Sequence, residues 1–154
     1  MILSQFLDFD AIRIDLAVNN KRQLVHQLAQ IAGARLSVDP ARIAAGLGER
    51  ERLGSTGFGG GVAIPHGKLP GLDRVYALVV RLSTPIDYKA IDGGKVDLIF
   101  LLLSPPDAGA EHLKALAAIS RLVRFAPTVE KLRGARSRDA LAAVLLGADE
   151  RDAA

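Results

Sequence analysis

A histidine held between a proline and a glycine is the residue of this sequence best suited to chemistry. His66 stands in the segment Ile64-Pro65-His66-Gly67-Lys68. Pro65 fixes the backbone φ angle at its own position and excludes a helix there, and Gly67 permits a sharp turn or a close approach of another segment. A histidine held in this way can act as a base, a ligand or a nucleophile. The alternative is a surface histidine in a tight turn.

Two features that precede His66 could hold an anion beside it. Arg50 lies sixteen residues earlier, at the end of a predicted helix, and a glycine-rich segment covers residues 54–61. A guanidinium suits phosphate, and successive backbone amides over 57–61 could form an anion-binding nest. We therefore expect a phosphate-binding loop made of Ser55, Thr56, Gly57, Gly59, Gly60 and Gly61. The alternative for Arg50 is a solvated helix end within a run of charges.

The two other histidines receive different interpretations. His112 lies near the start of a predicted helix, whose dipole favours an anion nearby. The alternative for His112 is a partly exposed residue of the first helical turn. His26 lies in the middle of another predicted helix, and we expect it at the margin of the core without a chemical role.

Several other chemistries are excluded by composition and spacing. The absence of cysteine excludes disulfides, a catalytic thiol and thiolate zinc sites, and the three histidines have no metal-type spacing. The glycines match neither a Walker A loop nor a dinucleotide fingerprint. Val62 occupies a position that each pattern reserves for a small residue, and Leu69 replaces the Walker hydroxyl residue. We expect neither a metal nor a cofactor.

The composition is that of an ordinary globular chain. Its 154 residues are 49% hydrophobic and 24% charged, with a formal net charge of +3, and we expect one domain over residues 1–154 with its core at about 5–146. A weak charge excess and 5% aromatic residues argue against a nucleic-acid partner. The apolar runs are too short to cross a bilayer, and the N-terminus lacks the pattern of a signal peptide. We expect a cytoplasmic protein that does not insert into a membrane.

Helices and strands alternate along the chain, which predicts a layered α/β domain with helices packed on a sheet. Strand patterns cover residues 12–16, 75–82 and 96–104, and Pro85 and a turn at 92–94 separate the last two. Between 54 and 61 we expect irregular backbone. Helices are predicted over 21–36, 40–52, 110–125, 127–132 and 138–146.

Capping residues and apolar periodicity set the predicted helix ends and faces. Asn20, Asp39 and Ser137 are the expected N-caps, Gly147 ends the last helix, and residues 149–154 are expected to fray. The helix over 110–125 has a predicted apolar face. Its predicted inward residues are Leu113, Leu116, Ala117, Ile119, Leu122 and Val123.

Together these motifs resemble the IIA component of the bacterial phosphotransferase system, of the fructose/mannitol type. The matching segments are Glu49-Arg50-Glu51, Gly54-Ser55-Thr56-Gly57, Ile64-Pro65-His66-Gly67-Lys68, Thr84-Pro85-Ile86 and Glu111-His112-Leu113. Within this family the chain most resembles the stand-alone nitrogen-regulatory IIA proteins, over about residues 5–146. The resemblance implies a mixed β-sheet between two layers of helices, a three-layer α/β/α fold.

The resemblance also implies roles for three residues. His66 would accept a phosphoryl group on Nε2, as tele-phosphohistidine, from a small phosphocarrier protein of the HPr type (NPr in the nitrogen-regulatory branch). His112 would assist by hydrogen bonding, and Arg50 would compensate the phosphate charge. The chain would then be a phosphotransferase-type phosphocarrier whose phosphorylation state controls partner proteins, with potassium transporters and sensor kinases as the targets that the resemblance offers.

Two alternatives stay open at this point. One is a IIA component for fructose or mannitol transport, which would pass its phosphoryl group to a separate IIB partner. The other is a non-catalytic module that senses an anion, in which the histidine would be structural.

Overall fold

The computed structural model describes residues 1–153, which form six strands and five α-helices. Two short 3₁₀ turns, Leu3–Gln5 and Phe9–Ala11, precede them. The strands are β1 (Arg13–Leu16), β2 (Gly57–Gly59), β3 (Val62–Ala63), β4 (His66–Lys68), β5 (Tyr76–Ile86) and β6 (Val96–Ser104). The helices are α1 (Lys21–Leu36), α2 (Pro40–Glu51), α3 (Gly109–Arg124), α4 (Ala126–Gly134) and α5 (Arg138–Ala153).

All six strands belong to one mixed sheet, in which five follow the order β1-β5-β6-β3-β2 and β4 pairs separately with β6. The central pair β5–β6 is antiparallel, and β1 joins β5 in parallel. Strands β3 and β4 both pair in parallel with β6, one after the other along the same edge. The segment that carries His66 is therefore fixed to the most buried strand of the sheet.

Each face of the sheet has its own hydrophobic core. On β6, Leu98, Phe100 and Leu102 pack with buried residues of α3, α4 and α5. Ile99 and Leu101 point to the opposite face and pack with residues of α1 and α2. This alternation is why β6 reads as an unbroken apolar run. The helix–sheet–helix layering confirms the predicted three-layer α/β/α fold.

The three predicted N-caps are confirmed by the hydrogen bonds of their side chains. The Asn20 side chain accepts from the amide of Gln23, and Asp39 accepts from Ala41 with Pro40 at the first position of α2. Ser137 Oγ accepts from the amide of Ala140 at the start of α5. Local sequence signals thus set where these helices begin.

The glycine-rich segment is irregular only in part: residues 54–56 have no regular structure, as predicted, but residues 57–61 differ from the prediction. Strands β2 and β3 form a small antiparallel hairpin, in which Gly59 pairs with Val62. Gly60 and Gly61 form the two-residue turn, with φ angles of 65° and 83°. A tight hairpin turn with two positive φ angles favours glycine at both positions. The run of glycines is therefore explained by the turn.

Pro85 does not separate two strands, because β5 continues through it to Ile86. The pairing of β5 with β6 is irregular between Arg81 and Ile86. Proline lacks an amide hydrogen and is tolerated within a sheet at such interruptions of the ladder.

The predicted inner face of α3 is wrong at two positions. Leu113 and Ala117 are exposed, whereas His112, Ala115 and Ala118 are buried. The buried stripe contains a histidine, which an apolar-only pattern cannot include.

The last helix also differs from the prediction, because α5 continues through Gly147 to Ala153. Asp149 is buried and accepts hydrogen bonds from the amides of Leu3 and Ser4, at 2.6 and 2.7 Å. A tertiary contact therefore overrides the stop signal of Gly147. Ala154, the end of the tail predicted to fray, lies outside the described residues. Within residues 1–153, no helix has the length and apolar character that a membrane span requires.

Candidate functional site

Three of the predicted site residues meet in one cleft. His66, Arg50 and His112 line an open cavity of about 340 Å³, at the junction of β4, the end of α2 and the start of α3. The remaining lining residues are Gly46, Glu49, Leu53, Gly67 and Lys68. The structure thus brings together residues that are distant in the sequence.

The orientation of the His66 ring is fixed through both of its nitrogen atoms. Nδ1 lies 2.8 Å from the carbonyl oxygen of Ile64. A carbonyl oxygen only accepts, so Nδ1 carries the hydrogen and Nε2 of the neutral ring holds a lone pair. Arg50 Nε donates to Nε2 at 3.2 Å. The bare nitrogen that could attack an electrophile is therefore the one beside the guanidinium.

Arg50 is itself held by the chain that follows it. It lies in the last turn of α2, and its NH1 atom donates to the carbonyl oxygen of Gly54 at 2.9 Å. A guanidinium has five donors in a fixed plane, so these two contacts leave others for an anion in the cleft.

The environment favours the neutral form of His66. Burial lowers the pKa of its ring, and the positive charges of Arg50 and Lys68 lower it further, against the opposing effects of the Ile64 carbonyl and Glu51. A neutral imidazole whose Nε2 carries no proton is a competent nucleophile.

His112 is buried at 8% exposure in the first turn of α3. Its ring centroid lies 5.4 Å from that of His66, and its Nδ1 lies 2.6 Å from Ser104 Oγ. Burial lowers the pKa of His112 to about 4, and the nearby Lys68 and His66 contribute in the same direction. The ring is therefore neutral at pH 7.

Backbone packing sets the distance between α2 and β4. A Cβ atom on Gly67 would lie 3.2 Å from the carbonyl carbon and oxygen of Gly46. Gly67 therefore permits a close approach, one of the two roles predicted for it. This contact places the last turn of α2, with Arg50, beside His66.

The predicted phosphate-binding loop is not assembled in this cleft, because Gly59, Gly60 and Gly61 lie outside its lining. The Gly60 amide donates to the Asp92 carboxylate at 3.1 Å, and the Gly60 carbonyl oxygen accepts from Arg133 at 2.6 Å. An amide that is already bonded to a carboxylate does not offer its hydrogen to phosphate.

The first half of that loop has a structural task instead. Ser55 Oγ accepts a hydrogen bond from the amide of Gly57. A Cβ atom added to Gly57 would collide with Ala90. Thr56 is buried, and its hydroxyl contacts both the Glu51 carboxylate and the Tyr88 hydroxyl.

Glu51, the residue after Arg50 at the end of α2, is the centre of a polar network. Its carboxylate accepts from Lys21 Nζ at 2.7 Å, from Tyr88 Oη at 3.1 Å and from Thr56. Lys21 Nζ also lies 4.1 Å from the centroid of the Tyr88 ring. Burial acts to raise the pKa of Glu51, but the hydrogen bonds and the charge of Lys21 outweigh it, and the pKa is lowered. The network anchors the end of α2.

Lys68 in the wall of the cleft and Ser104 behind His112 were not predicted as site residues. Lys68 follows the Pro-His-Gly motif and would have been found by alternation, since it lies two positions from His66 on β4. Ser104 was missed because a serine at the end of an apolar strand carries no recognisable signal. His26 is exposed on α1, away from the cleft.

Besides its two histidines, the cleft lining has two basic side chains, Arg50 and Lys68, and one acidic side chain, Glu49. Among the described residues, no group of three His, Asp or Glu side chains is arranged to hold a metal ion. Arg50 and Lys68 instead offer positive charge for an anion beside His66.

Comparison with known proteins places these residues in a family context. The sequence profile described as "Phosphoenolpyruvate-dependent sugar phosphotransferase system, EIIA 2" matches residues 5–147. A nitrogen regulatory protein of Bradyrhizobium diazoefficiens is 47% identical over 136 residues, which are 88% of this chain and 89% of that protein.

Solved structures agree with the sequence comparison. The crystal structure of nitrogen regulatory protein IIA-Ntr from Neisseria meningitidis has a TM-score of 0.87 and 33% identity, and the match covers 93% of this chain and 98% of that one. The IIA mannitol protein of Escherichia coli, in complex with phosphorylated IIB mannitol, shares the fold at 15% identity, with a TM-score of 0.76 and coverage of 90% and 95%. The chain is therefore a member of the EIIA 2 family of the phosphotransferase system.

Proposed function

We propose that this chain is a phosphocarrier that accepts a phosphoryl group on Nε2 of His66 from an HPr-type (NPr) protein, and that it acts in the cytoplasm as a nitrogen-regulatory IIA protein. The observation that carries the proposal is the hydrogen bonding of His66. Nδ1 is held by the Ile64 carbonyl, so Nε2 presents its lone pair beside Arg50.

The transfer exchanges one N–P bond for another, which requires no cofactor. The N–P bond of the donor's phosphohistidine breaks while a new N–P bond forms at Nε2 of His66, whose single proton stays on Nδ1. Phosphoryl transfer of this kind needs alignment and compensation of charge. Arg50 and Lys68 offer that compensation from the wall of the cleft, and His112 would donate a hydrogen bond to the phosphoryl oxygens.

Incubation with a ³²P-phosphorylated HPr-type protein tests the assignment. We expect one acid-labile phosphoryl group per chain by intact mass, absent from His66→Ala and retained in His26→Ala, a surface control on α1. Undiminished labelling of His66→Ala would contradict the site. Binding of inorganic phosphate without any covalent adduct would favour the anion-sensing alternative.

The regulatory role rests on the similarity to nitrogen regulatory proteins, of which the Bradyrhizobium protein is one. We propose that its partners are regulated targets, with potassium transporters and sensor kinases as the first to test by pull-down with each phosphorylation state. The sugar-transport alternative predicts that the phosphorylated chain passes its phosphoryl group through a IIB protein to fructose or mannitol. Such transfer at rates comparable to labelling would overturn the regulatory assignment.

A further inference from the structure

A serine lies directly behind the second histidine of the cleft. Ser104 is the last residue of β6 and is fully buried. Its Oγ atom lies 2.6 Å from Nδ1 of His112, and among the described residues this is the single hydrogen bond that Oγ makes. The direction of this bond decides which nitrogen of His112 carries the proton.

Two directions are possible, and they differ in what they leave unpaired. If Nδ1 of His112 donated to Ser104, the serine's own hydrogen would be buried without an acceptor. An unsatisfied buried polar group costs about 1–3 kcal/mol. If Ser104 donates to Nδ1, both groups are satisfied, as buried polar atoms in folded proteins almost always are. The packing therefore favours the serine as the donor.

The consequence appears on the other side of the ring. His112 is neutral at pH 7, so a ring that accepts at Nδ1 carries its one hydrogen on Nε2. Nε2 has no hydrogen-bond partner among the described residues, yet none of their buried side-chain nitrogen or oxygen atoms is left unpaired. Nε2 therefore reaches the surface of the cleft that His112 lines with His66.

We propose that Ser104 is a positioning residue, whose hydroxyl donates to Nδ1 of His112 and so keeps the ring proton on Nε2, the nitrogen that faces the cleft. Ser104 would act through His112 and would not touch the phosphoryl group itself.

The meaning of this arrangement for transfer rests on the proposed function. Phosphoryl oxygens are hydrogen-bond acceptors, so an N–H group attracts them, whereas a bare nitrogen would place its lone pair against theirs. A donor that is oriented before the reaction stabilises developing charge without reorganisation. Ser104 thereby makes His112 an electrostatic partner of the phosphoryl group rather than a competing base.

Nitrogen-15 NMR of the wild-type chain tests the proton position directly. Long-range proton–nitrogen correlation spectra distinguish a protonated ring nitrogen from a bare one. We expect His112 at pH 7 to have a bare Nδ1 and a protonated Nε2, and His66 to have the opposite pattern. A protonated Nδ1 in His112 would overturn the proposal, whatever the activity of the chain.

Three variants connect the proton position to the rate. Ser104→Ala removes the hydroxyl and should slow labelling of His66 by at least about tenfold, the lower end for loss of a group that orients a functional histidine. Ser104→Thr keeps the hydroxyl and should recover most of the rate. Ser83→Ala, at an exposed serine of β5, is the matched control and should leave the rate unchanged.

The outcomes separate this proposal from the proposed function. If Ser104→Ala folds and is labelled at the wild-type rate, the positioning role is wrong, although His66 remains the acceptor. If Ser104→Ala fails to fold, the wild-type spectrum and the rate of Ser104→Thr decide. If the wild-type chain accepts no label, the proposed function fails, and the spectrum alone still confirms or refutes the proton position.

Discussion

At the scale of single residues, hydrogen bonds fix the orientation of the His66 ring and of the Arg50 guanidinium in the cleft. His66 is held at Nδ1 by a backbone carbonyl and at Nε2 by Arg50. Arg50 is held in turn by the carbonyl of Gly54. A guanidinium can make both contacts at once because its donors point in several fixed directions, which an ammonium on a flexible stem cannot imitate.

Replacement of Arg50 by lysine should therefore not be conservative. Arg50→Lys keeps the charge but loses the fork that spans His66 and Gly54. We expect the rate of His66 labelling to fall about 10²-fold, as for the loss of one oriented donor in an anion site. Arg52→Lys, two positions further along and exposed, should label normally. Equal rates for the two variants would show that charge alone suffices.

The lowered pKa of His112 predicts how stability depends on pH. An unfolded histidine binds a proton below a pH of about 6.5, whereas the folded ring stays neutral until about pH 4. Its contribution to stability is therefore complete above pH 6.5 and is lost as the pH falls towards 4. His66, whose pKa is also lowered, acts in the same direction.

Urea unfolding at several pH values between 7 and 4 measures this contribution. The free energy of unfolding of His112→Gln should decline less steeply than that of the wild type over this range. Parallel profiles for the two chains would contradict the lowered pKa of His112.

The candidate site residues were predictable where a motif surrounds them. Pro65 and Gly67 drew attention to His66, and family resemblance then assigned His112 and Arg50; the structure brings these three together. Ser104 and the Glu51 network were not predictable, because their importance lies in buried contacts between segments far apart in sequence.

At the scale of elements, the contact between α2 and β4 determines whether Arg50 and His66 meet. Gly46 on the helix and Gly67 on the strand approach each other without side chains between them. The contact is backbone against backbone, so neither side can yield by changing a rotamer. The Glu51 network then anchors the end of the same helix.

Two glycine-to-alanine changes, one at this contact and one away from it, should have opposite effects on the stability of the fold. Gly67→Ala places a Cβ 3.2 Å from the backbone of Gly46, so we expect a loss of about 1–3 kcal/mol of stability and slower labelling of His66. Gly48→Ala, on α2 with no atom within 4 Å of its Cβ, should stabilise by up to about 1 kcal/mol through helix propensity. Thermal unfolding and labelling rates measure both. Similar behaviour of the two variants would contradict the close-packing argument.

The elements themselves followed from the sequence where local rules dominate. The bounds of α1, β6 and the start of α2 match their capping and apolar patterns. The hairpin at 57–63 and the passage of β5 through Pro85 were missed, since both depend on strand pairing rather than on composition.

At the scale of the whole molecule, the two ends of the chain are joined through Asp149. This buried carboxylate on α5 accepts from the amides of Leu3 and Ser4, which begin the first 3₁₀ turn. The sequence could not predict this contact, because it joins residues 145 and 146 positions apart. Asp149 thereby ties α5 to the first 3₁₀ turn.

Asp149→Ala should lower the free energy of unfolding by at least about 1.5 kcal/mol, the lower end for a hydrogen bond to a charged group. Glu150→Ala, at the exposed neighbouring position, should change it by less than about 0.5 kcal/mol. Urea unfolding compares the two. Labelling of His66 should be retained in both, since neither residue lines the cleft. An unaffected Asp149→Ala variant would contradict the joining of the ends.

The pairing of β4 with β6 has a consequence for how a partner protein would distinguish the phosphorylated from the unphosphorylated form. His66 pairs with Leu102 in the ladder, two residues before Ser104 on the same strand. His66 and Ser104 are thus held by the same pair of hydrogen-bonded strands, and we expect phosphorylation of His66 to leave that backbone in place. What changes is charge: a phosphoryl group adds up to about two negative charges to an unmoved surface. A partner that distinguishes the two forms would then read an electrostatic contrast rather than a shape, and its discrimination should fade as salt rises.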